Sequence, residues 1–126
     1  MNSIINKALN EATNSTDFRD RVGAVILNKK GHVISRGYNK RKTHPLQKRY
    51  ANSINHHCIF LHAEMAAIVR MREQGHTIVV ARKTKSGRIG MAKPCPICAI
   101  AIHEAGIKKV IYTTDSGKII KEHIVR

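Results

Sequence analysis

Two short segments of the sequence carry side chains that could hold a metal ion. His62-Ala63-Glu64 opens one apolar segment, and Pro94-Cys95-Pro96-Ile97-Cys98 opens a later one. One imidazole and two thiolates suit tetrahedral Zn²⁺, and three protein ligands leave a fourth position for water, as in catalytic zinc sites. The residue types and their spacing therefore predict a zinc site formed by His62, Cys95 and Cys98.

Glu64 lies two residues from His62, inside a segment that is apolar nearly all round. An unpaired carboxylate is costly to bury, so it needs a chemical reason to be there. We predict that Glu64 takes a proton from the attacking water and delivers it to a leaving group. The alternative is that Glu64 completes a closed, structural zinc site.

The hydrophobic pattern predicts the elements that must position these residues. Helices are predicted over 4–12, 61–71 and 96–105, and strands over 22–27, 32–36, 77–81, 108–113 and 118–125. This order predicts one domain over 1–126, a three-layer α/β/α architecture around a mixed five-stranded sheet. The last two strands are predicted to form an antiparallel hairpin. Because helices that follow parallel strands begin at one edge of the sheet, the metal ligands should meet there.

The composition points to an anionic partner. The chain has 23 Lys+Arg against 8 Asp+Glu, a net charge of +15, and such an excess favours nucleotides or nucleic acids. Nine Lys/Arg and no acid lie between Arg21 and Ala63, and five with no acid lie between Gln74 and His103. We predict basic loops over 37–55 and 82–93 that border the zinc site.

The substrate class stays open at this point. One phosphate needs only two or three basic donors, so the excess favours a polyanion or a steering field, unless it merely keeps the surface solvated. The absence of Trp, with two Phe and three Tyr, argues against a base-stacking groove.

The motif HAE followed by PCPxC resembles the zinc-dependent cytidine/deoxycytidylate deaminase superfamily, whose pattern is H-x-E…P-C-x-x-C. The resemblance implies that His62, Cys95 and Cys98 bind zinc and that Glu64 is the proton shuttle. It also implies that the backbone N–H of Ala63 faces the carbonyl of the base. Asn39, in Gly37-Tyr38-Asn39, matches an asparagine that contacts sugar or base. The further residues that we predict to contact the substrate are Tyr38, Lys42, His44 and Pro94.

The resemblance implies hydrolytic deamination of a nucleobase but leaves the substrate open; on the balance of charge and aromatic content we favour a cytosine nucleotide or nucleoside such as deoxycytidylate. One alternative is a deaminase of cytosine or adenosine within single-stranded DNA or tRNA. An alternative of another class is a zinc-stabilised nucleic-acid-binding module without turnover. His56, His57 and Cys58 form a further cluster, which is either a second metal site or a loop with a buried thiol.

The sequence also bears on location and assembly. No apolar run approaches the roughly 18 residues that a membrane span needs, and the first residues lack the pattern of a secretory signal. Three cysteines are an odd count without a disulfide framework. We therefore expect a cytoplasmic protein with no membrane partner. Its apolar helices leave association into homo-oligomers open.

Overall fold

Helices lie on both faces of a mixed β-sheet in the computed structural model, which describes residues 2–15, 20–43, 45–46, 49 and 60–124. The helices are α1 (Asn2–Ala12), α2 (Ala63–Val69) and α3 (Pro96–Glu104). The strands are β1 (Asp20–Leu27), β2 (Val33–Tyr38), β3 (Lys40–Thr43), β4 (Phe60–Leu61), β5 (Thr77–Thr84), β6 (Ile89–Gly90), β7 (Lys109–Thr113) and β8 (Ile119–His123).

The main sheet has the strand order β2-β1-β5-β7-β8, and the two-residue strand β6 pairs with β5. β5 and β7 are parallel, whereas β1 runs antiparallel to both β2 and β5. The predicted C-terminal hairpin is confirmed, since β7 and β8 pair antiparallel. Its turn is closed by Gly117, which has φ 81° and donates its N–H to the Thr114 carbonyl at 3.0 Å. Among the residues that the structure describes, the main sheet thus contains the five predicted strands, and β6 adds a sixth.

The three layers follow from the alternation of side chains along the strands. On one face, Ile5 and Ala8 of α1 pack against a cluster that includes Val25 and Val79. On the other face, Ala63 and Ala67 of α2 and Ile102 of α3 pack against residues that include Ile26 and Ile78. Because β1 and β5 are covered on both faces over 22–27 and 78–81, those parts of the two strands are apolar without interruption. The predicted α/β/α architecture is confirmed.

Both predicted basic loops contain strands, and these are the main corrections to the sequence-based fold. β2 continues to Tyr38, and β3 pairs with β4 through Lys40 and Leu61. β5 continues to Thr84 and forms an antiparallel pair with β6. Their Lys and Arg residues hide the alternation that would have revealed a strand. The β3–β4 pair matters for function because it joins the segment after Asn39 to the segment before His62.

Helix α2 approaches β2 closely, and Gly37 permits this. A Cβ atom on Gly37 would lie 2.6 Å from the Ala63 carbonyl oxygen, and closer still to the Ala67 nitrogen. Both contacts are with helix backbone, which cannot move aside without shifting α2 itself. The missing side chain therefore fixes the depth at which α2, with Glu64, sits on the sheet. Within the described residues, no helix is long and apolar enough to cross a membrane.

Candidate metal centre

The three predicted metal ligands lie at the starts of two helices. His62 is the N-cap residue of α2 and Cys95 is the N-cap residue of α3, and neither side chain caps its own helix. Pro96 occupies the first turn of α3, where its fixed φ favours helix initiation. Cys98 lies within the same first turn and is fully buried. Both helices thus begin by presenting a ligand from a residue with an extended backbone.

The ligand atoms converge on one point. His62 Nδ1 lies 3.4 Å from Cys95 Sγ and 3.3 Å from Cys98 Sγ, and all three ligand atoms lie within 4.8 Å of one another. Ligands on one tetrahedral zinc, with Zn–N near 2.0 Å and Zn–S near 2.3 Å, are separated by about 3.5 Å. The donor set and its spacing therefore fit Zn²⁺. In the described part of the chain, no other group of His, Cys, Asp or Glu side chains is gathered in this way.

The two thiols differ in protonation. The hydrogen bond from Cys98 lowers the pKa of Cys95 to about 4, against an opposing effect of burial. The same hydrogen bond, together with burial, raises the pKa of Cys98 well above 9. At neutral pH the pair therefore shares one proton, which a bound metal ion would displace because thiolates are the ligating form.

Glu64, at the second position of α2, is 5% exposed. Burial raises its pKa above 4.5, and the nearby His62 opposes that rise. A carboxyl group whose pKa is raised holds a proton more readily, so it can both accept and return one during a reaction. Glu64 is therefore suited to proton transfer beside the centre.

A cavity of about 330 Å³ adjoins the metal centre. This volume lies at the lower end of the range for small-molecule sites, roughly 300–1,000 Å³. Its lining includes His62, Glu64 and Cys95 from the centre. The other polar or charged side chains that line it are Asp20, Asn39, Lys40, Arg82 and Lys93. The cavity can therefore hold a small polar ligand directly against the metal ligands.

The predicted substrate contacts fall into three groups. Asn39 and Ala63 line the cavity, whereas Tyr38 and Pro94 are not among the described residues that line it. Lys40 Nζ lies 4.9 Å from the centroid of the Tyr38 ring, and Pro94 lines a second cavity of about 200 Å³. Lys42 belongs to β3. His44 lies outside the described residues, as do His56, His57 and Cys58.

The sequence does not predict Asp20 as a site residue, and it places Arg82 only in a basic loop. Arg82 Nη2 contacts Asp20 Oδ1 at 2.6 Å, and both residues line the cavity. The signal was present in the alternation of strand β1, since Asp20 lies two residues before Val22 and therefore on the same face. The strand register then brings Arg82 to the same place, because Val22 of β1 pairs with Arg82 of β5.

Comparison with known proteins agrees with this geometry. The family model of the cytidine and deoxycytidylate deaminase zinc-binding region matches residues 1–114. The fold is similar to that of cytidine deaminase from Burkholderia pseudomallei, with a TM-score of 0.68 and 20% identity over 97% of this chain and 91% of that one. It is also similar to cytidine deaminase from Mycobacterium leprae, with a TM-score of 0.61 and 17% identity over 95% and 91% of the two chains. No curated protein sequence gives a significant match.

Proposed function

The chain belongs to the cytidine and deoxycytidylate deaminase family, and from this premise we propose that it deaminates a cytosine nucleotide or nucleoside, with deoxycytidylate as the favoured substrate. Water replaces the exocyclic amine, a carbonyl forms, and ammonia leaves. The observation that carries the proposal is the position of buried Glu64 beside the His62, Cys95 and Cys98 side chains, in a cavity large enough for a small polar ligand.

The metal ligands and Glu64 have different roles in the proposed reaction. A zinc ion held by His62, Cys95 and Cys98 would lower the pKa of a water molecule and act as a Lewis acid. Glu64 removes a proton from the attacking water and delivers it to the amine, so that ammonia rather than amide leaves. The burial of Glu64 supports this role because burial raises the pKa of its carboxyl group.

The backbone of α2 supports binding of the base. Ala63 is the first residue of α2, and its N–H has no acceptor within the helix because the first turn lacks a preceding carbonyl. Ala63 is fully buried and lines the cavity. We propose that this N–H donates to the carbonyl oxygen of the base, which would orient the amine-bearing carbon towards the metal centre.

The charge of the cavity supports a phosphorylated substrate. The positive charge of Arg82 is balanced by Asp20, whereas Lys40 Nζ lies 4.9 Å from the centroid of the Tyr38 ring. Lys93 Nζ is 3.9 Å from Glu122 Oε1 and both side chains are exposed, so water largely screens that pair. Lys40 and Lys93 are therefore the side chains that we assign to a single phosphate.

One observation favours a second candidate, a deaminase that acts on single-stranded nucleic acid. Lys83, Lys85 and Arg88 extend along β5 and the turn to β6, and they are not among the described residues that line the cavity. A mononucleotide in the cavity would leave their charges unused, whereas a longer strand would continue over them.

The substrate is identified by mass spectrometry of zinc-loaded protein incubated with deoxycytidylate, deoxycytidine, cytidine, guanine, single-stranded DNA and tRNA. We expect a one-dalton gain on deoxycytidylate, with one ammonia released per product. Conversion confined to DNA or RNA would favour the second candidate instead. Salt-dependent binding of nucleic acid with no conversion of any substrate would indicate a non-catalytic zinc-stabilised module and would contradict the proposal.

A further inference from the structure

Asp20 and Arg82 form an ion pair in the wall of the cavity. Asp20 is the first residue of β1, and Arg82 lies on β5 opposite Val22. Arg82 Nη2 contacts Asp20 Oδ1 at 2.6 Å, while Nη1 donates to the Met91 carbonyl at 3.4 Å. The guanidinium therefore ties Asp20 to the segment that follows β6. The ion pair therefore places a positive guanidinium against the Asp20 carboxylate at the cavity wall.

Asn39, the residue expected to contact the sugar or base, is bound to the main chain of β1. Its Oδ1 accepts the Val22 N–H at 3.0 Å, and its Nδ2 donates to the Asp20 carbonyl at 2.6 Å. An amide has one oxygen and two N–H hydrogens. The oxygen and one hydrogen are thus directed at backbone, and Asn39 retains its second Nδ2 hydrogen as a donor towards a ligand.

The charged acceptors that the cavity offers to a ligand are carboxylates, which make stronger hydrogen bonds than neutral acceptors do. Of the described residues that line it, Asp20 and Glu64 carry carboxylates, and the proposed chemistry assigns Glu64 to proton transfer. Apart from the reacting amine, the hydrogen-bond donors of a cytosine nucleoside are its sugar hydroxyls. A phosphate would be repelled by Asp20, so the hydroxyl is the group that its charge and chemistry suit.

We infer that Asp20, oriented by Arg82, is a specificity-determining residue that accepts a hydrogen bond from a sugar hydroxyl of the substrate. The inference rests on the proposed function and deepens it, since it names the part of the substrate that Asp20 recognises. Asp20 and the remaining Nδ2 hydrogen of Asn39 offer an acceptor and a donor to one hydroxyl, which needs both.

The test compares two substrates and two forms of the protein. The kcat/KM is measured for wild type and Asp20→Asn, both zinc-loaded, on deoxycytidylate and on its 2′,3′-dideoxy analogue. On deoxycytidylate the variant should lose about ten- to a hundredfold, the range for a hydrogen bond to a charged acceptor. On the dideoxy analogue, which has no hydroxyl to lose, the two forms should agree within about twofold.

Glu73→Gln provides the matched control. Glu73 is an exposed carboxylate that accepts from Asn28 Nδ2 at 3.2 Å, and it is not among the described residues that line the cavity. This variant removes the same unit of charge from the protein, so it should keep wild-type kinetics on both substrates. Equal zinc content in all three proteins separates a lost contact from a damaged centre.

Three outcomes would overturn the inference. An equal loss on both substrates would mean that Asp20 acts only by holding Arg82, and no loss on either would mean that Asp20 does not contact the substrate. A third outcome needs no variant: wild type that uses the dideoxy analogue as well as deoxycytidylate recognises no hydroxyl. In all three cases wild type still deaminates deoxycytidylate, so the proposed function stands. If wild type converts no cytosine nucleoside or nucleotide, the proposed function fails and the inference fails with it.

Discussion

Replacing Glu64 by glutamine is expected to lower kcat by about 10²–10⁴-fold, the usual contribution of a general acid–base group. Glutamine keeps the shape of the side chain but can neither take a proton from water nor return it to the amine. Because the three ligand atoms belong to His62, Cys95 and Cys98, the variant should bind as much zinc as wild type.

The measurement pairs kcat on deoxycytidylate with zinc content determined on the same sample. Glu104→Gln is the matched control, since it makes the same substitution at the exposed C-terminal residue of α3, and it should retain wild-type values. A Glu64→Gln protein with full zinc and wild-type kcat would contradict the assigned proton transfer. Loss of both zinc and activity would instead show that Glu64 is needed for the metal centre.

Replacing Cys98 by serine is expected to remove zinc and, with it, activity. Cys98 is fully buried, and its Sγ lies 3.3 Å from His62 Nδ1. The substitution therefore removes the buried one of the three ligand side chains. A ligand present at a hundred times its Kd stabilises the folded state by about 2.7 kcal/mol. Chelation should therefore lower the Tm of wild type but leave that of the variant unchanged.

Cys58→Ser is the control for that experiment because it makes the same chemical change at the third cysteine. This variant should keep the zinc content and the chelator response of wild type. If wild type binds more than one zinc ion per chain and Cys58→Ser loses the excess, a second metal is bound at His56, His57 and Cys58. Retention of zinc and of a chelator-sensitive Tm in Cys98→Ser would show that the metal is held elsewhere.

The features of the fold and of the site that can be predicted from the sequence are those whose residue types have few structural roles. The HAE and PCPxC segments predicted a zinc site, and the ligand atoms of His62, Cys95 and Cys98 do converge. Strand β5 (Thr77–Thr84) begins with the predicted strand over 77–81, whose residues are all buried. Both features can be recognised from neighbouring residues alone. The metal-ligand set is recognised by its residue types, and the apolar strand by its lack of polar residues, because such a strand needs cover on both faces of the sheet.

Features that depend on strand pairing could not be read in this way. Strand β3 consists of Lys40–Thr43, and its identity comes from its partner β4 and not from its own residues. The contact between Asp20 and Arg82 requires the register of β1 against β5, which aligns residues more than sixty positions apart. Asn39 illustrates the same point, because its bonds to the Val22 N–H and the Asp20 carbonyl depend on how the end of β2 lies beside β1.

Whether this centre replaces a cytosine amine by water is tested most directly in ¹⁸O-labelled water. Zinc-loaded wild type is incubated with deoxycytidylate, and the product mass and the released ammonia are measured against metal-free protein. We predict a product three daltons heavier than the substrate, compared with one dalton in ordinary water, one ammonia per product, and no conversion without zinc. A product that lacks ¹⁸O, or no product from fully zinc-loaded protein, would contradict a hydrolytic deaminase of this substrate.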